Sequence, residues 1–229
     1  MIEVFGGQTP NVFKVLIALE ELGLDYKRTA LDITKGEQFT PEFLAISANN
    51  RVPAIVDHNP VEDEGPLSVF ESGAILFYLA ERSGQLMPHG LRRRAEVMEW
   101  VMWQMAGQGP MLGQLGHFRN YAPEKVPYAI KRYTFETKRL YRVLDTRLAG
   151  RDFIADAYSI ADIACWPWIH FRAQHDVDLA DYPNVARWFA ALYARPAVIR
   201  AVGSEPAPKP LTLDEDARRM VFPDTVPTK

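Results

Sequence analysis

Cysteine is almost missing from this chain: Cys165 is the one thiol in 229 residues. That excludes an internal disulfide and a CxxC redox pair, and it leads us to expect a reducing compartment, the cytoplasm. Long apolar runs are missing as well, and nothing approaches the roughly 20 residues that cross a bilayer. The N-terminus enters the strand-like Ile2-Glu3-Val4-Phe5 at once, with no basic flank, so no secretory leader is expected. Nor is there a surplus of one charge. The 26 basic and 29 acidic residues leave a net charge of −3, which gives no general pull toward nucleic acid or an anionic membrane. His58, His89, His117, His170 and His175 show no metal-ligand spacing with one another or with acids, so no metal is expected. What is present in quantity is apolar, 48% of the chain. Over this length that is enough for the core of one large domain or of two small ones.

Residues 1–84 alternate short strands and helices. A first strand, Ile2 to Phe5, runs into the turn-rich Gly6-Gly7-Gln8-Thr9-Pro10-Asn11. A helix follows, with Val12, Val15, Leu16, Leu19 and Leu22 at helical spacing and Gly23 as its stop. The short return to a strand from Tyr26 implies a parallel, right-handed βαβ unit. Thr40-Pro41 is an N-cap followed by proline at the first helical position. Two more strands, around Ala54 to Val56 and Leu67 to Phe70, are close enough to pair antiparallel, and a helix from Ser72 ends near Gly84. The order βαβ-α-ββα, with Pro53 before the third strand, is that of a thioredoxin-like domain.

From Leu91 onward strand patterns all but vanish. Residues 91–202 read as an all-helical bundle, with a long helix interrupted at Gly107-Gln108-Gly109-Pro110. Ser159 followed by Asp162 is a capping box. The segment after it is apolar nearly all round, as the buried central helix of a bundle would be. A further helix from Pro183 stops at Pro196, and residues 203–229, rich in proline and charge, are expected to be an irregular tail.

The chemistry gathers at Arg51-Val52-Pro53-Ala54-Ile55-Val56-Asp57 and Phe70-Glu71-Ser72. Proline holds Val52 extended, so Val52 can offer its own N–H and C=O to an extended peptide. A helix opening at Ser72 favours a carboxylate, and Glu71 beside it favours an ammonium. Each half also has a plain structural reading, Ser72 as a helix cap and Glu71 as a surface acid.

With Ser159-Ile160-Ala161-Asp162 these stretches resemble the cytosolic glutathione transferases over roughly residues 1–200. Thr9-Pro10-Asn11, Gly109-Pro110-Met111-Leu112-Gly113-Gln114 and Pro127-Tyr128-Ala129-Ile130-Lys131-Arg132-Tyr133 look like the bacterial Nu class, which reduces disulfides with glutathione. The resemblance implies the glutathione transferase fold, an α/β thioredoxin-like domain followed by an all-α bundle, with a cis bond before Pro53. It implies glutathione as co-substrate and a homodimer. It also implies binding through Asn11, Gln38, Val52, Pro53, Glu71, Ser72 and Arg132, with Thr9 and Asn11 holding the glutathione sulfur as thiolate. Because Thr9-Pro10-Asn11 stands where some classes carry cysteine, a mixed disulfide with the enzyme is not expected there. Two other activities remain open, conjugation of glutathione to electrophiles and binding without turnover. Cys165 between Ala164 and Trp166 reads as a buried small hydrophobe, and His117 and Phe118 as either core or co-substrate contacts.

Overall fold

The computed structural model describes residues 1–61, 64–204 and 207–222. Its first part is built on four short strands, β1 (Ile2–Phe5), β2 (Tyr26–Thr29), β3 (Ala54–Asp57) and β4 (Leu67–Phe70). They lie in the order β2-β1-β3-β4. The pair β1/β2 is parallel, joined by helix α1 (Pro10–Leu22), while β3 runs antiparallel to both β1 and β4. Ile55 sits opposite Val4 on one side and Val69 on the other, which puts Val4 and Ile55 in the core. Helix α2 (Pro41–Ile46) is capped by Thr40, and α3 (Ser72–Ser83) ends at Gly84 in the left-handed conformation. The Val52–Pro53 bond is cis.

Helix α1 is the centre of the molecule. Thr9 caps it, Pro10 starts it, and Gly23 stops it at φ 63°. Residues 12–19 are all buried, because α1 is walled by α3 as well as by α7 (Ile160–His170) and α9 (Pro196–Val202). One of those eight residues is Lys14, with 1% of its surface exposed.

The helical part begins with α4 (Leu91–Trp103). The expected break at Gly107-Gln108-Gly109-Pro110 is instead a π turn over Gln104–Gln108, through which the chain continues into α5 (Gly109–Gly116). A wider turn is how a helix absorbs Pro110, which has no N–H to give to the preceding turn. A second π turn, His117–Tyr121, precedes α6 (Pro127–Arg147). Helix α7 opens on the Ser159/Asp162 capping box and is buried from Ile160 to Pro167. Pro196 does more than end α8 (Pro183–Tyr193), since it is also the first residue of α9. The tail is not wholly irregular. Glu215–Val221 forms helix α10, which has Asp214 as side-chain cap, acids in its first turn and arginines in its last. That charge order suits the helix dipole, and proline-rich composition masked it. Among the described residues no helix is long and apolar enough to cross a membrane.

Candidate active site

The start of α3 departs from the sequence expectation in an instructive way. Ser72 does not cap the helix; it is already the first helical residue. The cap position belongs to Glu71, which is held at φ 70° and ψ 116° and gives no side-chain cap bond. A non-glycine residue held at positive φ carries strain that the surrounding fold must offset, a feature that clusters at functional sites. The first N–H groups of α3 therefore have no side-chain acceptor, and the positive end of the helix is left open. Glu71 is exposed, and its carboxylate takes one hydrogen bond, from Asn49 Nδ2 at 3.3 Å.

Opposite this helix end stands Val52. Among the described residues neither its N–H nor its C=O has a protein partner. Val52 is fixed from behind by close contact with Gly6, at φ 144°, where an added Cβ would lie 2.6 Å from Val12 Cγ2. Asn11, Ser47, Asn49, Arg51, Val52, Pro53, Phe70, Glu71 and Ser72 line one cleft of about 210 Å³. A larger cleft of about 450 Å³ adjoins it, sharing Asn11, Arg51 and Glu71 and adding Lys14, Gln104, Met105, Gln114 and Trp168.

Asn11 stands where the two clefts meet, and its orientation is fixed. Trp168 Nε1 donates to Asn11 Oδ1 at 3.0 Å, so the amide NH₂ is the end left for a ligand. The indole packs along the α5 backbone, where a Cβ on Gly113 would lie 3.4 Å from its Cη2. Thr9 is similarly half-committed. Its Oγ1 accepts from Val12 N at 3.2 Å as the cap of α1, and its hydroxyl hydrogen remains available to donate. Thr9 opens onto a further cleft of about 300 Å³, which also contains Val52 and is closed on one side by Pro208, Lys209 and Leu211 of the tail. Thr9 and Asn11 are thus two available donors beside the positive end of α1, one on each side of Val52.

The fold thus brings Asn11, Val52, Pro53, Glu71 and Ser72 together, with Thr9 on the other side of Val52. It does not bring Gln38 or Arg132 to these clefts. Gln38 is buried beneath the tail, where its Nε2 donates to Met220 O at 2.9 Å. Arg132 is exposed on α6 and lines neither cleft. His117 meets the ring of Phe222 at 4.6 Å and Phe118 stacks on Tyr133, so both pack against protein. Cys165 is fully buried, and burial pushes its thiol far above the usual range.

Among the cleft residues that composition and motifs did not reveal are Lys14, Gln104 and Trp168. Lys14 Nζ lies 3.3 Å from Ser72 Oγ and 2.5 Å from Gln104 Oε1. Burial lowers its pKa to about 7. A signal for Lys14 did exist, since it is the one charged residue in the run Val12-Phe13-Lys14-Val15-Leu16-Ile17-Ala18-Leu19.

Both parts of the chain are similar to known proteins. Residues 2–81 match the family model of the glutathione S-transferase N-terminal domain, and residues 124–196 that of the C-terminal domain. The disulfide-bond oxidoreductase YfcG of Escherichia coli is 50% identical over 203 residues, 88% of this chain and 94% of that one. A glutathione transferase of Burkholderia graminis, solved with two glutathione molecules per subunit, superposes with a TM-score of 0.82 at 45% identity. The overlap there covers 89% of this chain and 88% of the other. A glutathione transferase of Pseudomonas putida, solved with one glutathione disulfide per subunit, gives 0.83 at 41% identity, over 89% and 91% of the two chains.

Proposed function

The chain belongs to the glutathione S-transferase family in both of its domains, and from that premise we propose that it is a glutathione-dependent disulfide reductase that uses no cysteine of its own. The observation that carries the reading is the pairing of an oriented donor set, Thr9 and Asn11, with a single cysteine that is sealed in the core. In support, YfcG bears the name of a disulfide-bond oxidoreductase, and the Pseudomonas putida relative holds glutathione disulfide.

Glutathione lies along Val52 as an added antiparallel strand, its cysteinyl N–H and C=O taken by that residue. Its γ-glutamyl ammonium meets Glu71, and its α-carboxylate meets Ser72 and the open end of α3. Its sulfur, held as thiolate by Thr9 and Asn11, attacks one sulfur of a substrate disulfide. The S–S bond breaks, a glutathione mixed disulfide forms, and the leaving thiolate takes a proton from water. A second glutathione thiolate attacks the glutathione sulfur of that mixed disulfide and releases the second thiol. Two glutathiones and one disulfide become one glutathione disulfide and two thiols. Gln38 and Arg132 remain in the proposed binding set. Arg132 needs the ligand or a second subunit to come to it, and Gln38 needs the tail to withdraw its Met220 carbonyl.

The homodimer belongs to the same proposal. Met98 and Met102 of α4 and Tyr128 and Phe135 of α6 are large apolar side chains left exposed, a surface that fits a second copy. A cytoplasmic site is proposed on the same footing as the lone buried thiol.

Assaying purified protein with glutathione plus 2-hydroxyethyl disulfide, beside an aryl chloride, separates the reductase from its rivals. Turnover of the disulfide is expected. Turnover of the aryl chloride alone would favour a conjugating transferase, and turnover of neither a binding protein. Within this reading Glu71→Gln raises KM for glutathione about tenfold, the loss of one charge-assisted contact. The fold is unaffected, since Glu71 is exposed and has one neutral partner. An unchanged KM would remove Glu71 from the site.

A further inference from the structure

Lys14 is a fully buried amine without a counter-ion. Its nitrogen is surrounded by Ser72 Oγ at 3.3 Å, Gln104 Oε1 at 2.5 Å and Met105 Sδ at 3.5 Å. None of these is charged, and among the described residues no carboxylate lies within ion-pair distance of it. Gln104 adds a second open demand. Its Oε1 is spent on Lys14, and its Nε2, in a side chain with 0% exposure, has no hydrogen-bond partner. Gly109 leaves the space this amide occupies, since a Cβ there would lie 2.9 Å from Nε2. Both groups line the cleft that holds Asn11 and Glu71. A buried cation and a buried free donor together call for an anion or acceptor from outside the chain.

Building on the reading of Ser72 as the carboxylate site, we propose that Lys14 is a positioning residue for glutathione: the buried counter-charge of the γ-glutamyl carboxylate, protonated as that carboxylate binds and acting through the Ser72 hydroxyl. The chemistry is a proton transfer from bulk water or buffer to the amine, one proton for one carboxylate brought in. As an ammonium, Lys14 donates to Ser72 Oγ, which leaves the serine hydrogen for the weak acceptor Met105 Sδ, 3.7 Å away, until a ligand carboxylate offers a better one. As a neutral amine it has a lone pair that takes that hydrogen and turns it from the cleft. The ligand's charge therefore sets the direction of the Ser72 hydroxyl, and Gln104 links the event to the π turn after α4.

Burial lowers the Lys14 pKa to about 7, with the Glu71 carboxylate pulling the other way. Cys165 faces it from α7 as a neutral thiol, since burial raises that thiol's pKa. Glu71 acts from the start of α3, and Arg51 lines the same cleft from the loop before β3. The other charges on neighbouring elements are engaged elsewhere: Asp162 of α7 with Ile154, Ser159 and Trp188, Arg82 of α3 with Asp57, and Arg200 of α9 with Glu20. The π turn carries no charge. An arriving carboxylate is thus the main new field on Lys14, and it raises the affinity of the amine for its proton.

The test is calorimetry with S-methylglutathione, whose sulfur has no proton to release, in two buffers of different ionisation enthalpy. At pH 8 the wild-type protein is expected to take up most of one proton per ligand. Its affinity is expected to fall between pH 7 and 9, by up to tenfold per unit, since each bound ligand then requires a proton the free site lacks. Lys14→Met should bind more weakly at pH 7, with proton uptake and slope reduced to what the ligand's own amine contributes as it titrates near pH 8. Gln104→Glu gives Lys14 a fixed counter-ion, so it should still bind while proton uptake falls to that same level. A packing role for Lys14 would move neither proton count nor slope. Wild-type binding with proton uptake and slope no greater than those of Lys14→Met overturns the proposal and leaves the glutathione site standing. No binding of S-methylglutathione at any pH overturns that site as well, so the two failures are distinct.

Discussion

Replacing Asn11 with alanine lowers disulfide turnover about tenfold at neutral pH and weakens the hold on the glutathione thiolate. The direction follows from the geometry. Asn11 presents its NH₂ group because Trp168 already occupies its carbonyl, so the donor is aimed before the ligand arrives. A donor that holds the sulfur as thiolate raises the reactive fraction at neutral pH and lowers its nucleophilicity somewhat, so its removal costs about tenfold in rate. Asn11→Asp is the sharper variant. It keeps the acceptor for Trp168, loses the donor, and puts a carboxylate beside the thiolate. A like charge disfavours ionisation, so its rate–pH profile moves to higher pH as well as falling. Steady-state kinetics across pH for both variants check this. Full turnover in Asn11→Ala with unchanged glutathione affinity would remove Asn11 from the chemistry and leave it as the hydrogen-bond partner of Trp168.

The largest stability effect is expected far from the clefts, at Asp162. Its Oδ1 accepts from Ile154 N and from Trp188 Nε1, each at 2.9 Å, and its Oδ2 accepts from Ser159 N at 3.1 Å. Burial pushes its carboxyl up to about 6, against the pull of these donors, so it is ionised at neutral pH. Three structural units meet on one carboxylate: the loop before α7, the start of α7 itself, and α8 through Trp188. Asp162→Ala strands all three donors in a dry interior, and each buried unpaired group costs about 1–3 kcal/mol. A loss of about 3–5 kcal/mol follows. For a chain of this size that lowers Tm by about 6–20 °C. Turnover per folded molecule is unaffected. Normal melting of this variant, followed by calorimetry or near-ultraviolet dichroism, would contradict the assignment.

The sequence spoke most clearly where function depends on backbone shape. Val52-Pro53, Glu71-Ser72 and the Ser159/Asp162 box are local patterns, because proline, helix starts and caps act over a few residues. Even there one detail was illegible: Glu71 takes the cap position at positive φ, which no propensity favours, and Ser72, the first helical residue as expected, faces Lys14. Long-range partners were illegible. Lys14 meets Gln104 across 90 positions, and Asn11 meets Trp168 across 157. No periodicity encodes such pairs, since they exist only once α1 is walled in by the helical part. Gln38 shows the converse: a residue placed in the site by resemblance lies under α10, a helix that the composition of the tail concealed.

The central claim is that this protein exchanges disulfides with no thiol of its own. The most direct measurement is therefore glutathione-dependent reduction of 2-hydroxyethyl disulfide by Cys165→Ala, a chain without a single sulfhydryl. Cys165 packs at 0% exposure between Ala164 and Trp166, so the substitution trims a small buried group and leaves the clefts intact. Both kcat and KM are expected within about twofold of wild type, a difference worth about 0.4 kcal/mol. An active wild type beside a folded but inactive Cys165→Ala would contradict it, because the sulfur doing the work would then be the enzyme's.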